Sequence, residues 1–381
     1  MLDRWFMTGV IENDKLLWIT ELGGHIMKMS LSTHNVEYVN IEDEILEGDL
    51  SHSSVVYQEN GTIYAFINWG KRLLIFNEHS ATYKFIYLGL EKYFLNMCAS
   101  VSKVGNELLV VPMCAPKLLR INISTGEVQF EQILKEEIET NDKEVIQLYA
   151  KCEEIEGENI WIFSRLNSDV ICYNPNTREK TYYKIPIMLG KPTDITIYEG
   201  KFYVLNSVGD VFLWEKDKDW CEKIFDNPKK EISDGFSVVC IVNKKLWIFP
   251  SFERDILLYD LENKSMDLYD KYPKDFSYFA PKEMAKYSCK IQDESCYYFA
   301  MHSGNYIFSI DKRTGEGKWI DAKWPREETE LEYLLKRNRS QFHEQEISIE
   351  TFLNYITVKA TEKKESVFDN GNIIWEKCKG V

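Results

Sequence analysis

The chain has 381 residues, 44% of them hydrophobic and 14% aromatic, with 46 basic against 61 acidic side chains and a formal net charge of −15. That is enough apolar material for one large domain or two ordinary ones, and too much for a disordered chain. An acidic chain without a basic block is a poor polyanion binder, because nucleic-acid affinity rests on Lys and Arg neutralising phosphates; nucleic acid and membrane are not expected as partners.

Residues 1–15 place Asp3 beside Arg4 and hold no apolar run of signal-peptide length, so no secretory signal is expected. No window approaches the length of a membrane-spanning apolar segment. The nine cysteines, Cys98, Cys114, Cys152, Cys172, Cys221, Cys240, Cys289, Cys296 and Cys378, are odd in number and widely spaced, with no CxxC pair. That pattern fits buried thiols in a reducing cytoplasm better than a disulfide framework or a zinc site. The bias toward Lys, Ile, Asn and Glu matches an AT-rich bacterial gene.

One segment type recurs seven times along the chain. Its third strand and following turn align without gaps as HIMKMSLST, RLLIFNEHS, KLLRINIST, DVICYNPNT, DVFLWEKDK, DILLYDLEN and YIFSIDKRT. The anchors Met29, Phe76, Ile121, Tyr173, Trp214, Tyr259 and Ile310 are spaced by 47, 45, 52, 41, 45 and 51 residues. The next residue is Ser30, Asn77, Asn122, Asn174, Glu215, Asp260 or Asp311. A short Asn or Asp side chain bonds back to the backbone two residues on, so a strand ending there turns. Thr125-Gly126 and Thr314-Gly315 supply the positive φ of a tight hairpin.

The second strands, LLWITE, TIYAFIN, LLVVPM, NIWIFS, KFYVLN, LWIFPS and CYYFAM, are continuous apolar runs. Continuous rather than alternating runs mean burial on both faces, as when sheet stacks on sheet. Four strands in about 45 residues, repeated, predict an all-β fold: a seven-bladed β-propeller of four-stranded antiparallel blades. A six-bladed ring with one degenerate unit is the structural rival. The propeller is expected over 1–322, with repeats near 6–41, 53–88, 98–133, 147–186, 193–226, 237–270 and 285–320. Each first and last repeat holds four strands, so closure needs no strand donated between the termini. Small or polar first-strand residues, Thr8, Ser54, Ser100, Ala150, Asp194 and Ser237, are expected to line the crowded axis.

The stretch GKFYVLNSVGDVFLWEKDKDWCEKI resembles a kelch blade, with a Gly-x-aromatic strand and a Trp after the second strand. DVICYNPNTREKTYYKI and DILLYDLENKSMDLYD resemble kelch-type and quinoprotein-type blades. The kelch double glycine stands only at Gly23-Gly24, and quinoprotein cofactor residues find no match. The resemblance implies the propeller fold and its usual binding role, and no catalytic residue.

From 323 to 381 a C-terminal helical extension is expected. Pro325 opens REETELEYLLKRNRS with Glu in the first turn and Lys and Arg in the last. Ser348 then caps a helix whose stripe is Ile349, Phe352, Leu353 and Ile356. That stripe either packs on the propeller or serves as a docking tail for a partner.

No GxSxG, Walker, HExxH or EF-hand motif is present, and the six histidines lack metal-ligand spacing, so neither cofactor nor metal is expected. A propeller gathers its site from loops. The tips joining second to third strands carry His25, Trp69, Lys71, Arg72, Lys117, Arg165, Asn167, Asp210, Glu253, Arg254 and His302. Arg grips carboxylate or phosphate bidentately and Trp stacks on sugar or peptide. Each such residue alone is more simply a solvated loop residue; the set gains weight because the loops ring one mouth. The reading is a monomeric, non-catalytic recognition or scaffold propeller with a protein or peptide partner. The alternative is an enzyme or carbohydrate-binding protein acting at the same mouth on a small molecule or sugar.

Overall fold

The computed structural model describes residues 6–12, 16–21, 26–39, 53–67, 72–89, 98–112, 115–133, 154–165, 169–186, 191–216, 218–227, 235–251, 255–274, 276, 287, 290–301 and 306–323. These form an all-β propeller whose units are four-stranded antiparallel sheets; seven such sheets occur, each ordered as in the chain. The first holds β1 (Phe6–Glu12), β2 (Leu16–Glu21), β3 (Ile26–Ser30) and β4 (Val36–Tyr38). The second holds β5 (Ser53–Glu59), β6 (Thr62–Ile67), β7 (Arg72–Asn77) and β8 (Thr82–Tyr87). The third holds β9 (Cys98–Val104), β10 (Glu107–Pro112), β11 (Lys117–Asn122) and β12 (Val128–Gln132). The fourth holds β13 (Glu154–Glu156), β14 (Asn159–Phe163), β15 (Asp169–Tyr173) and β16 (Lys180–Lys184). The fifth holds β17 (Pro192–Tyr198), β18 (Lys201–Asn206), β19 (Val211–Trp214) and β20 (Cys221–Phe225). The sixth holds β21 (Phe236–Val242), β22 (Lys245–Pro250), β23 (Leu257–Asp260) and β24 (Ser265–Leu268). The seventh holds β25 (Ile291–Gln292), β26 (Cys296–Ala300), β27 (Tyr306–Asp311) and β28 (Gly317–Asp321). No helix occurs among the described residues; the helices expected beyond residue 324, with Ile349, Phe352, Leu353 and Ile356, lie outside them.

The hairpins close by the chemistry their sequence carries. The Asn122 carboxamide oxygen accepts the N–H of Ser124 and of Thr125 at 3.0 and 2.9 Å. Asn174 does the same for Asn176 and Thr177, Asp260 for Glu262 and Asn263, and Asp311 for Arg313 and Thr314. In the second sheet Asn77 takes the N–H of Ser80 at 2.9 Å. The fifth sheet has Glu215 here and closes through its backbone instead, Lys218 N–H to Glu215 O at 2.9 Å.

Where their side chains are described, the second strands are buried almost throughout, and alternate residues serve opposite neighbours. Leu108 and Val110 of β10 pack with Phe66 and Leu73 of the second sheet, whereas Leu109 and Val111 pack with Ile160 and Ile162 of the fourth. Further apolar clusters join the fourth and fifth, fifth and sixth, sixth and seventh, and seventh and first sheets. Burying both faces of a sheet is what makes each unit depend on its neighbours. The first strands lie innermost, β1 against both β5 and β25, β5 against β9, and β17 against β13 and β21. Closure has one feature the repeats did not signal. Beyond β28, Lys323 pairs in parallel with Asn35 ahead of β4, donating to His34 O at 2.8 Å and accepting from Val36 N–H at 2.9 Å.

A polar weld crosses the third and fourth sheets. Arg120 is 6% exposed and grips Glu107 through Nε at 2.7 Å and Nη2 at 2.6 Å. Its Nη1 donates to the Tyr173 hydroxyl at 2.8 Å and to Pro175 O at 2.9 Å. The Tyr173 hydroxyl in turn donates a hydrogen bond to Glu131 at 2.6 Å, and Lys180 pairs with Glu131 at 2.8 Å. Burial and the hydrogen bond to Glu131 push the Tyr173 pKa up to about 12. Burial works against the Glu131 charge, but the hydrogen bonds from Lys180 and Tyr173 outweigh it and hold its pKa below the usual value.

Candidate binding face

In a four-stranded antiparallel sheet, the first and third strands start at the end where the second and fourth finish. The hairpins between third and fourth strands occupy one end of each sheet, so the connections between second and third strands share the other end with the connections between sheets. That loop face has its own backbone signature. In β1, β5, β9, β17 and β21 the register slips by one residue just after the strand begins, at Phe6/Thr8, Ser53/Val55, Cys98/Ser100, Pro192/Asp194 and Phe236/Val238. Such a bulge bends the strand and re-aims the residues beside it. It also corrects the expected axial row. Thr8, Ser100 and Asp194 follow the bulge, but Ser54 and Ser237 are themselves the bulged residues, and Val55 and Val238 take the equivalent place. Ala150 lies outside the described residues.

Two bonds tie the inner strands together near the axis. Asp194 is fully buried, and its Oδ2 accepts the N–H of Val239 on the next sheet at 2.7 Å. Lys290, just ahead of β25, donates from Nζ to Ile195 O at 3.2 Å, joining the seventh sheet to the fifth. A buried carboxylate is costly unless hydrogen-bonded, so Asp194 is a structural strut before it is anything else.

Among the mouth residues expected from sequence, Arg72, Lys117, Arg165 and Asp210 are described, and the first three stand at the loop face of three consecutive sheets. Arg72 opens β7 half-buried, with its guanidinium 4.7 Å from the centroid of Phe85. Lys117 opens β11 opposite Gln132. Arg165 follows Ser164, whose N–H donates to Asp169 O at 2.8 Å and brings the strand ends together. Burial lowers the Arg165 pKa. Asp210 is 3% exposed and built into the loop. Its Oδ1 accepts Asn227 N–H at 2.8 Å and its Oδ2 accepts Lys223 Nζ at 2.8 Å. Asn206 caps the same loop, accepting Val208 N–H at 3.1 Å and Asp210 N–H at 2.9 Å, while Asn227 Nδ2 donates to Val208 O at 2.8 Å. The hydrogen bond to Asp210, then that to Asp226, raises the Lys223 pKa. His25, Trp69, Lys71, Asn167, Glu253, Arg254 and His302 lie outside the described residues.

Asn206, Asn227 and Lys223 are what sequence reasoning missed. The segment Asn206–Asp210 signals a turn through its Asn and Gly, but its partners arrive from 13 to 19 residues on. Among the described residues no group of three or more His, Cys, Asp or Glu side chains is placed to hold a metal. Cys172, Cys221, Cys240 and Cys296 are free thiols. No helix among the described residues is long and apolar enough to cross a membrane.

No family model matches the chain, and no curated protein does. Solved structures do, and they are β-propellers. A catalytically inactive variant of virginiamycin B lyase from Staphylococcus aureus, with quinupristin, is similar at a TM-score of 0.57 and 13% identity, over 79% of this chain and 92% of its own. BamB from Moraxella catarrhalis is similar at 0.51 and 9% identity, over 78% and 82% of the two chains. The WD40 repeats of RRP9 are similar at 0.51 and 12% identity, over 84% and 94%. At these identities the likeness shows the fold alone.

Proposed function

We propose that the chain is a non-catalytic recognition propeller, its seven sheets the blades of one closed ring, and that it binds a protein or peptide partner through the loop face. One observation carries this reading. Arg72, Lys117 and Arg165 set a row of cations at the loop end of three neighbouring sheets, on a face where Asp194 and Asp210 hold the fold. Such a row on an acidic protein fits carboxylate groups of a partner, which guanidinium binds bidentately and ammonium as a point charge. The pairing of Lys323 with Asn35 supports closure between the last and first sheets. The odd number and wide spacing of the nine cysteines support placing the protein in a reducing cytoplasm.

The test is capture from the native organism's lysate, read by mass spectrometry. It compares the full chain, a chain lacking 325–381, and a folded Arg72→Gln/Lys117→Gln/Arg165→Gln variant. The partner is expected to be lost in the triple variant and at high salt, and kept without 325–381. Loss on truncation with the triple variant unaffected would move binding to the tail. Turnover of a small ester or glycoside by the full chain, abolished in the triple variant, would favour the enzyme alternative.

A further inference from the structure

The outer strand of the second sheet reads Thr82-Tyr83-Lys84-Phe85-Ile86-Tyr87. It pairs with β7 over six consecutive residues without a register shift, and no strand among the described residues pairs with its other edge. Tyr83 is 49% exposed and Tyr87 56%. A long regular edge is a template for another strand, and proteins blunt such edges with charge, bulges or short length. The other outer strands carry those devices. β4 has three residues and β24 four, the latter with Asp267. β16 has Lys at both ends, β20 sets Glu222 beside Lys223 next to a register shift, and β28 carries Lys318 and Asp321. In β12, Glu131 is bound by Lys180. β8 has Lys84 alone.

The backbone phase of that edge follows from the hairpins. The strand-ending residue donates its N–H to the residue opposite in three sheets: Asn122 to Glu127, Asn174 to Glu179 and Asp311 to Glu316, at 2.9–3.0 Å. The matching pair in the second sheet is Asn77 and Thr82. Alternation along an antiparallel pair then turns the peptide groups of Thr82, Lys84 and Ile86 toward β7, and those of Tyr83, Phe85 and Tyr87 outward.

A second β8, related by a two-fold axis through Phe85, satisfies this edge. Phe85 faces Phe85, Tyr83 faces Tyr87, and outward peptide groups meet outward peptide groups. The aromatic rings fall on one face as cross-strand pairs. Lys84 then lies opposite Ile86 of the mate. Recentring the axis on Lys84 sets the two lysines against each other. An arbitrary partner strand satisfies the backbone alone; a copy of this chain satisfies the backbone, pairs the rings and keeps the two lysines apart.

We propose that two copies of the chain associate by antiparallel β8–β8 pairing centred on Phe85, an isologous contact on the outer rim, in place of the monomer expected from sequence. Sedimentation velocity across a range of protein concentrations, at moderate salt to screen the net charge, tests it. The wild type is expected to dimerise. Tyr83→Lys/Tyr87→Lys, which sets lysine opposite lysine at both pairs, should weaken the dimer roughly tenfold or more. Tyr83→Lys/Tyr87→Glu, which sets lysine opposite glutamate in this register alone, should retain it. Tyr83 packs edge-on against Phe85 within the chain, so the melting of both variants is compared with that of the wild type and loss of dimer is read only where the fold is kept. A wild type that stays monomeric, or a dimer indifferent to the Lys/Lys change, would overturn the proposal. Equal loss in both variants would overturn the register.

Discussion

Replacing Arg120 by methionine tests whether the third and fourth sheets are welded by charge or merely stacked. Methionine keeps much of the volume but withdraws every donor from Glu107, which is 24% exposed, and from the Tyr173 hydroxyl and Pro175 O. Removing one partner of a buried ion pair costs about 3–5 kcal/mol. Tyr173→Phe is the milder cut. It leaves Glu131 its bond to Lys180 and leaves Arg120 its bonds to Glu107 and Pro175, so the cost is about 1.5–3 kcal/mol. Urea unfolding at neutral pH, followed by tryptophan fluorescence and compared through midpoint and slope, measures both. The pH dependence gives an independent check. A tyrosine whose folded pKa is raised from 10.0 to about 12 gives stability that is whole below pH 10 and lost as pH climbs through 12. Two pKa units correspond to about 3 kcal/mol. The gap between wild type and Tyr173→Phe should therefore narrow over that interval. Glu131 acts at the other end: its folded pKa lies below 4.5, so its contribution holds above that value and fades as pH falls through the depressed one. An Arg120→Met cost no larger than that of Tyr173→Phe, or a gap constant from pH 9 to 12, would refute this account.

Asp194→Ala strands the buried Val239 N–H, and should cost about 1–3 kcal/mol in the same urea assay. Gly209 has φ +86° and an added Cβ would sit 2.7 Å from Asn227 Nδ2, whereas Gly105 has φ +60° with open space around it. Gly209→Ala should therefore be the more destabilising of the two, Gly105→Ala costing only the left-handed backbone term of about 1–2 kcal/mol. Thiol titration under denaturing conditions without reductant, on protein shielded from air, should count all nine cysteines; seven or fewer would show a disulfide.

Much of this architecture is legible in the chain because the interactions that make it are short in sequence. Asn122, Asn174, Asp260 and Asp311 close their turns on residues two and three positions away, so the residue types alone announce each hairpin. The unbroken apolar second strands likewise declare sheets covered on both faces, as Leu108 and Leu109 serve opposite neighbours. The face where loops gather follows from antiparallel order, which sets Arg72, Lys117 and Arg165 at the same end of their sheets. Other assignments depend on partners that sequence spacing does not bring near. Asp210 reads as an exposed loop acid until Lys223 and Asn227 return to it. Asp194 reads as a small axial filler until Val239, 45 residues on, donates to it. Ser54 and Ser237 align with Ser100 in the repeat, yet a one-residue bulge sets them out of register, because pairing is decided by the opposing strand and not by the count of residues. Arg120 and Tyr173, 53 residues apart, meet only because the sheets that carry them stack, and stacking is a property of the whole ring of apolar faces rather than of any one repeat.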